Sequence, residues 1–148
     1  MGSYKGMTLF DDYAHHPTAI QATLKMLRQE YPDRRIWCLY EPHQVSRTQA
    51  LMDYYARSFQ LADRVLIAPV YAAREKLDAE PVETSKELVR RILLHNAAVS
   101  FSSSLDQMLS TLETEAQSGD IIITMGAGEI NRIHHELNRR LQRDSQTI

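Results

Sequence analysis

The chain has 148 residues, of which 43% are hydrophobic and 24% are charged, and its formal net charge at pH 7 is −2. These values are ordinary for a globular protein, and they lack the basic excess of a dedicated nucleic-acid binder. The sequence has no signal peptide pattern and no run near the roughly 18–20 apolar residues of a membrane span, so we expect a soluble, cytoplasmic domain that binds neither nucleic acid nor a membrane.

Short apolar runs alternate with segments of helical spacing along the whole chain. A strand at 2–4 should pair antiparallel with the next one through a turn at Lys5–Gly6. The other predicted strands are nearly all apolar, and they lie at 8–10, 36–40, 65–68, 98–101 and 121–124. Such strands are typical of a parallel sheet that is covered on both faces.

Helical periodicity fills the segments between the strands. The residues that define it are Ile20, Leu24, Leu27 and Tyr31, then Leu51, Tyr55 and Phe59, then Leu88 and Ile92, and finally Ile130, Ile133, Leu137 and Leu141. Pro17 suits a first helical turn, Pro32 ends that helix, and Thr84 or Ser85 is the expected cap of the helix with Leu88.

This alternation predicts an α/β fold, a three-layer Rossmann-like domain with a mostly parallel sheet of five or six strands. We treat residues 1–148 as one domain. The irregular stretch at about 69–81 is predicted to be a surface loop.

Polar residues collect where the predicted strands end, which is where open parallel sheets bind ligands. Four loops carry them, with the sequences DDYAHHPT, EPHQVSRT, PVYAARE and MGAGE. The adjacent histidines in the first loop lack the spacing of about four residues that a helix-borne metal pair needs. We therefore expect no metal held by this domain alone, and we interpret the similar pair His134 and His135 as a solvated helix face.

Two features of these loops leave their interpretation open. Gly126 and Gly128 either form a sterically required turn or bring backbone N–H groups close to a ligand. Arg47, at the start of a helix where a cation is unfavourable, is either a surface residue or a ligand for a carboxylate or phosphate.

Other reactive features are missing from the sequence. The single cysteine, Cys38, lies inside a predicted strand, and no serine stands in a G-x-S-x-G turn, so we expect no catalytic residue on this domain alone. The sequence also contains no G-x-x-x-x-G-K-[ST] loop. If the protein uses ATP, another domain must supply the main phosphate site.

The combination of DDYAHHPTAI, PHQVSRT, VYAARE and GDIIITMGAGEI, in this order, resembles the C-terminal domain of the Mur ligases over nearly the whole chain. The resemblance implies the last of three domains, with ATP and Mg²⁺ held mainly by a central domain and the UDP-sugar by an N-terminal one. It implies formation of an amide through an acyl phosphate, and a domain that is inactive alone.

The resemblance also assigns roles to single residues. Asp12 is expected to contact the nucleotide ribose, Tyr13 and His15 to line the amino-acid pocket, and Arg47 to bind the substrate carboxylate. Gly126 and Gly128 are expected to lie in a loop close to the reacting groups of the substrates.

Three positions depart from the family pattern: Gln44 replaces an arginine, Arg74 a glycine and Glu129 an aspartate. The motifs favour the family members that join L-alanine to UDP-N-acetylmuramate over those that reattach recycled murein tripeptide. Outside the family, the alternatives are a stand-alone nucleotide- or anion-binding module that uses the Gly126 loop, and an interaction domain without a ligand.

Overall fold

A computed structural model describes residues 2–71 and 80–146 of the chain. Its strands are β1 (Gly2–Tyr4), β2 (Met7–Asp12), β3 (Ile36–Tyr40), β4 (Arg64–Ile67), β5 (Val99–Phe101) and β6 (Ile121–Met125). Its helices are α1 (Pro17–Glu30), α2 (Val45–Ala50), α3 (Met52–Ala56), α4 (Glu80–Ile92), α5 (Leu105–Glu115) and α6 (Arg132–Gln146).

The six strands form one sheet in the order β1-β2-β6-β3-β4-β5. Only the β1–β2 pair within it is antiparallel, and the other pairs are parallel. The hairpin turn uses Lys5 and Gly6, both with positive φ angles of 48° and 83°. The predicted α/β fold, with a mostly parallel sheet and an N-terminal hairpin, is confirmed.

Two hydrophobic clusters cover the two faces of the sheet. Ile36, Cys38 and Tyr40 of β3 point to one face, where they join residues of α1, α3 and α4. Trp37 and Leu39 point to the other face and join residues of α5 and α6. Because successive strand residues alternate between two buried faces, every residue of β3 is buried, and this explains its unbroken apolar run.

The helix boundaries agree with the sequence signals in some places and not in others. Helix α1 begins at Pro17, as predicted. The predicted cap of α4 is wrong, because that helix begins four residues before Thr84. Ser85 is buried inside it, and its hydroxyl donates to the Ala68 carbonyl at 2.7 Å. The Ser85 hydroxyl, which the local sequence pattern assigned to a helix cap, therefore serves in a tertiary contact.

The segment predicted as a loop at 69–81 is shorter at its C-terminal end, since Glu80 and Pro81 belong to α4. Arg74 and its neighbours in that segment lie outside the described residues. Among the described residues, no helix has both the length and the apolar character that crossing a membrane requires.

Candidate functional site

The carboxyl ends of four neighbouring strands place their loops side by side. Backbone bonds connect these ends directly: the Gly126 N–H donates to the Asp12 carbonyl at 3.2 Å, the Glu41 N–H to Met125 at 3.0 Å and the Ala68 N–H to Tyr40 at 2.9 Å. The loops that follow β2, β6, β3 and β4 therefore share one rim of the sheet, which is where a ligand site is expected.

The loop after β2 is held to α1 by Asp12. One oxygen of this half-buried carboxylate accepts from the Ala14 N–H at 3.0 Å, and the other accepts from the Thr23 hydroxyl at 2.7 Å. A carboxylate has about four acceptor positions, so these two bonds leave room for a ribose hydroxyl. Tyr13, which follows, is 72% exposed.

Two buried tyrosines attach the same loop to the rest of the domain. The hydroxyl groups of Tyr40 and Tyr55 both donate to the His15 carbonyl, the first at 3.3 Å. Burial raises the pKa of both phenols, and the positive charge of Arg47 acts in the opposite direction. The tyrosine pair that holds the His15 carbonyl is thus also influenced by the charge of Arg47.

Arg47 lies in α2 and is exposed. Its guanidinium makes no hydrogen bond and no ion pair with any residue in 2–71 or 80–140. A cation with these properties at the rim can accept a carboxylate in bidentate geometry.

Glu41 is a residue of the rim that the sequence reasoning missed. Its side chain is buried, and Oε1 accepts from the N–H groups of Glu129 at 2.7 Å and Ile130 at 3.2 Å. Burial raises the pKa of this carboxyl, and the two backbone bonds oppose the shift. The available signal was its position directly after the fully buried strand β3.

The two glycines of the turn after β6 fit around Glu41. A Cβ atom on Gly126, whose φ is +144°, would lie 2.8 Å from the Glu41 carbonyl oxygen. A Cβ on Gly128 would overlap Oε1 of Glu41 and approach Cγ of Tyr71 to 2.8 Å. The sequence left open a steric turn or a ligand loop, and these contacts give the glycines a steric role.

The same contacts bear on the availability of N–H groups in this turn. Those of Glu129 and Ile130 are occupied by the Glu41 carboxylate. Within the described part of the chain, no residue accepts a hydrogen bond from the N–H groups of Ala127 or Gly128, and both residues are half-buried. The turn therefore presents two amide donors at the rim.

The loop after β4 joins this arrangement through Tyr71. Its N–H donates to the Pro42 carbonyl at 2.7 Å, and its carbonyl accepts from the Gln44 N–H at 2.9 Å. Its ring stacks on His43, with 5.7 Å between centroids. Gln44 takes φ 68° and ψ 127°, a conformation that is strained for a residue with a side chain.

His134 corrects one sequence-based interpretation. We expected a solvated helix face, but His134 is half-buried and its Nε2 lies 2.8 Å from the Thr124 hydroxyl, which donates to Asp11 at 2.7 Å. Burial lowers the pKa of this imidazole, and the charge of Asp11 opposes the shift. His135 is exposed, as expected.

The described residues contain no group of three or more His, Cys, Asp or Glu side chains arranged to hold a metal ion. Cys38 is fully buried, and burial strongly raises the pKa of its thiol, so it does not supply a thiolate nucleophile.

Comparison with protein families gives a match over residues 1–128 to the family described as Mur ligase, glutamate ligase domain. Among curated proteins, a UDP-N-acetylmuramate–L-alanine ligase from Alkaliphilus metalliredigens is 43% identical over 130 residues. That match covers 88% of this chain and 27% of the relative, so the chain spans little more than a quarter of the relative's length.

Two solved structures are similar in fold. A murein peptide ligase from Psychrobacter arcticus has a TM-score of 0.72 and 30% identity, covering 94% of this chain and 28% of that one. A UDP-N-acetylmuramate–alanine ligase from Thermotoga maritima also has a TM-score of 0.72, covering 95% and 28% of the two chains. Its 21% identity is evidence for the fold alone.

Proposed function

The chain belongs to the family of Mur ligase C-terminal domains, and from this premise we propose that it is the last domain of an ATP-dependent ligase. The proposed reaction joins L-alanine to UDP-N-acetylmuramate. The main observation behind the proposal is the rim, where two tyrosines hold the His15 carbonyl and are also influenced by the charge of the exposed Arg47. The 43% identity to an L-alanine ligase supports this choice of substrate.

Arg47 is proposed to bind the carboxylate of the incoming amino acid. A guanidinium forms two parallel hydrogen bonds to a carboxylate, which fixes the orientation of the substrate as well as its position. No described residue competes for this group. The charge is therefore available to the substrate.

His15 is proposed to face the amino group. Its Nδ1 lies 2.9 Å from the Tyr13 carbonyl. Because a carbonyl can only accept, Nδ1 carries the proton in the neutral ring and Nε2 is the acceptor nitrogen. Nε2 can then accept a hydrogen bond from the amine, which orients the amine's lone pair towards the carbonyl under attack.

Asp12 is proposed to contact the ribose of ATP with the acceptor positions that Ala14 and Thr23 leave open. When bound, ATP supplies the activation of the muramate carboxylate as an acyl phosphate. We assign the main ATP and Mg²⁺ sites to a central domain and the UDP-sugar site to an N-terminal domain of the same enzyme. This division agrees with closure of domains over a substrate.

A second candidate is a ligase that reattaches a murein tripeptide. The 30% identity to a murein peptide ligase favours it, though less strongly than the 43% identity favours L-alanine addition.

A chimeric enzyme tests both candidates. This chain replaces the matching segment of the Alkaliphilus metalliredigens ligase, and ADP release is measured with UDP-N-acetylmuramate and either L-alanine or the tripeptide. We expect turnover with L-alanine. Turnover with the tripeptide alone would favour the second candidate, and no turnover with either substrate would contradict the proposal.

Arg47→Ala in the same chimera tests the assigned role. Charge-assisted hydrogen bonds contribute about 1.5–3 kcal/mol each, so the KM for L-alanine should rise at least tenfold while the KM for ATP changes little. Arg57→Ala is the matched control, because Arg57 is also exposed but follows α3. An unchanged KM for L-alanine in Arg47→Ala would refute the role.

A further inference from the structure

Glu41 is a buried carboxylate that the proposed reaction does not use. It is 7% exposed, and its Oε1 accepts two backbone N–H bonds from the start of the segment that leads into α6. A buried charge is costly unless hydrogen bonds compensate it. If this position only had to fill space, an apolar side chain would be more stable there than a carboxylate. The presence of a hydrogen-bond acceptor therefore requires an explanation.

The connection made by Glu41 joins distant parts of the chain. Glu41 and Glu129 are 88 positions apart, and the bond between them is the shorter of the two, at 2.7 Å. The main chain of Glu41 adds a bond from its N–H to Met125, the last residue of β6. The ends of β3 and β6 are thus connected through both the backbone and the side chain of one residue.

A third loop is attached at the same point. Tyr71, after β4, lies against Gly128 and is bonded to Pro42 and Gln44 on either side of His43. Gln44 in turn is the residue before α2, the helix that carries Arg47. A displacement of Glu41 therefore reaches the two amide donors of the glycine turn directly, and reaches Arg47 through Tyr71 and Gln44.

We propose that Glu41 is a positioning residue that joins the loops after β3, β4 and β6 into one unit and sets the position of the glycine turn relative to Arg47. The glycines are the complement of this carboxylate, since a methyl group on Gly128 would occupy the space of its Oε1. The inference rests on the proposed function only for its effect on turnover.

The first test uses the 148-residue chain itself and amide hydrogen exchange measured by NMR. Glu41→Met keeps the side-chain length and removes the acceptor, while Glu41→Gln keeps an oxygen acceptor without the charge. We expect the Glu129 and Ile130 amides to exchange at least tenfold faster in Glu41→Met and within threefold of the original rate in Glu41→Gln. Shift changes in Glu41→Met should extend to Gln44.

Glu30→Met is the matched control, because Glu30 is exposed at the end of α1 and should alter none of these amides. Equal protection of Glu129 and Ile130 in Glu41→Met and the original chain would overturn the proposal. If Glu41→Met does not fold, Gly128→Ala disturbs the same contact from the other side. Unchanged protection in that variant would overturn it equally.

The second test uses the chimera, at a temperature well below the melting point of each variant. Glu41→Met should raise the KM for L-alanine at least fivefold, and Glu41→Gln should restore it to within twofold. A mere loss of stability would lower the amount of active enzyme and leave KM unchanged, and that result would overturn the proposal. An inactive chimera with Glu41 intact would instead contradict the proposed function, and the exchange measurement would still decide the role of Glu41.

Discussion

Asp120, just before β6, shows how one carboxylate can join several groups at the amino ends of the strands, opposite the rim. Its Oδ2 accepts from the Arg35 guanidinium at 2.7 and 3.1 Å, from the Trp37 indole at 3.0 Å and from the Gln117 N–H at 3.0 Å. Burial alone would raise the pKa of Asp120, but these donors together lower it below its ordinary value. The folded state therefore favours the charged form.

This shift makes a prediction about stability and pH. A lowered pKa in the folded state adds stability above the unfolded value of about 3.9, and that stability is lost as the pH falls through the folded value. Asp120→Asn keeps one oxygen acceptor but removes the charge, and it should lower the free energy of unfolding at pH 7 by about 1–3 kcal/mol, because hydrogen bonds to a charged acceptor are the stronger ones. The difference from the original chain should shrink below about pH 4.

Urea unfolding between pH 3 and pH 7 measures this difference. Asp33→Asn is the control, since Asp33 is exposed and its replacement should change stability by less than about 0.5 kcal/mol. A pH-independent difference between Asp120→Asn and the original chain would show that the charge of Asp120 is not what stabilises the fold.

At the scale of elements, the sequence predicted the pieces better than their arrangement. The strands could be predicted because burial on two faces leaves an unbroken apolar run, as in β3. That run does not say which strand lies next to it, so the position of β6 between β2 and β3 could not be read from it. The order of the strands depends on packing between distant parts of the chain.

The same physical limit applies to the candidate site. The rim residues Asp12, His15 and Arg47 could be located because they lie at or after strand ends, where loops of an open sheet converge. The contact of Glu41 could not be predicted, because the two N–H groups that donate to its carboxylate lie more than 80 positions away in the sequence. His134 was misjudged for a similar reason, because its partner Thr124 is buried on a different element.

The glycine turn after β6 makes a prediction at this scale. Both Gly126 and Gly119 have positive φ angles, of 144° and 96°, but only the Cβ of an alanine at 126 would meet other atoms within 4 Å. Gly119→Ala should therefore cost about 1–2 kcal/mol for the backbone conformation alone. Gly126→Ala should cost about 1–3 kcal/mol more because of overpacking.

Urea unfolding of the two variants separates the contributions, since both change a glycine with positive φ to alanine. Equal destabilisation would mean that the contact with the Glu41 carbonyl is easily relieved and that conformation alone requires the glycine at 126. The larger loss that we expect for Gly126→Ala would support the close fit of the turn to β3.

At the scale of the whole molecule, the candidate site lies at the carboxyl ends of the parallel strands, and the hydrogen bonds of Asp120 lie at their amino ends. Among the described residues, the carboxyl ends of β2, β6, β3 and β4 carry the exposed cation Arg47 and the two amide donors of the glycine turn. The amino end carries the bonds of Asp120. The proposed function divides the site in this way: the described rim would orient the amino acid, and another domain would hold the triphosphate.

This arrangement predicts that the chain alone neither hydrolyses ATP nor forms an amide. The sequence contains no phosphate-binding G-x-x-x-x-G-K-[ST] loop, and Glu41 already occupies the Glu129 and Ile130 amides. Calorimetric titration of the chain with ATP, ADP and NAD should therefore give dissociation constants near the millimolar range, which corresponds to about −4 kcal/mol.

The contrary results would each favour another function. Micromolar binding of a nucleotide by the isolated chain would support a stand-alone binding module, and turnover by the chain alone would contradict the division of the site between domains. Full activity of the chimera after simultaneous replacement of Tyr13, His15 and Arg47 by alanine would support an interaction domain. The ligase proposal requires weak binding alone and loss of activity in that triple variant, because the amino acid must be held by the rim while the phosphates are held elsewhere.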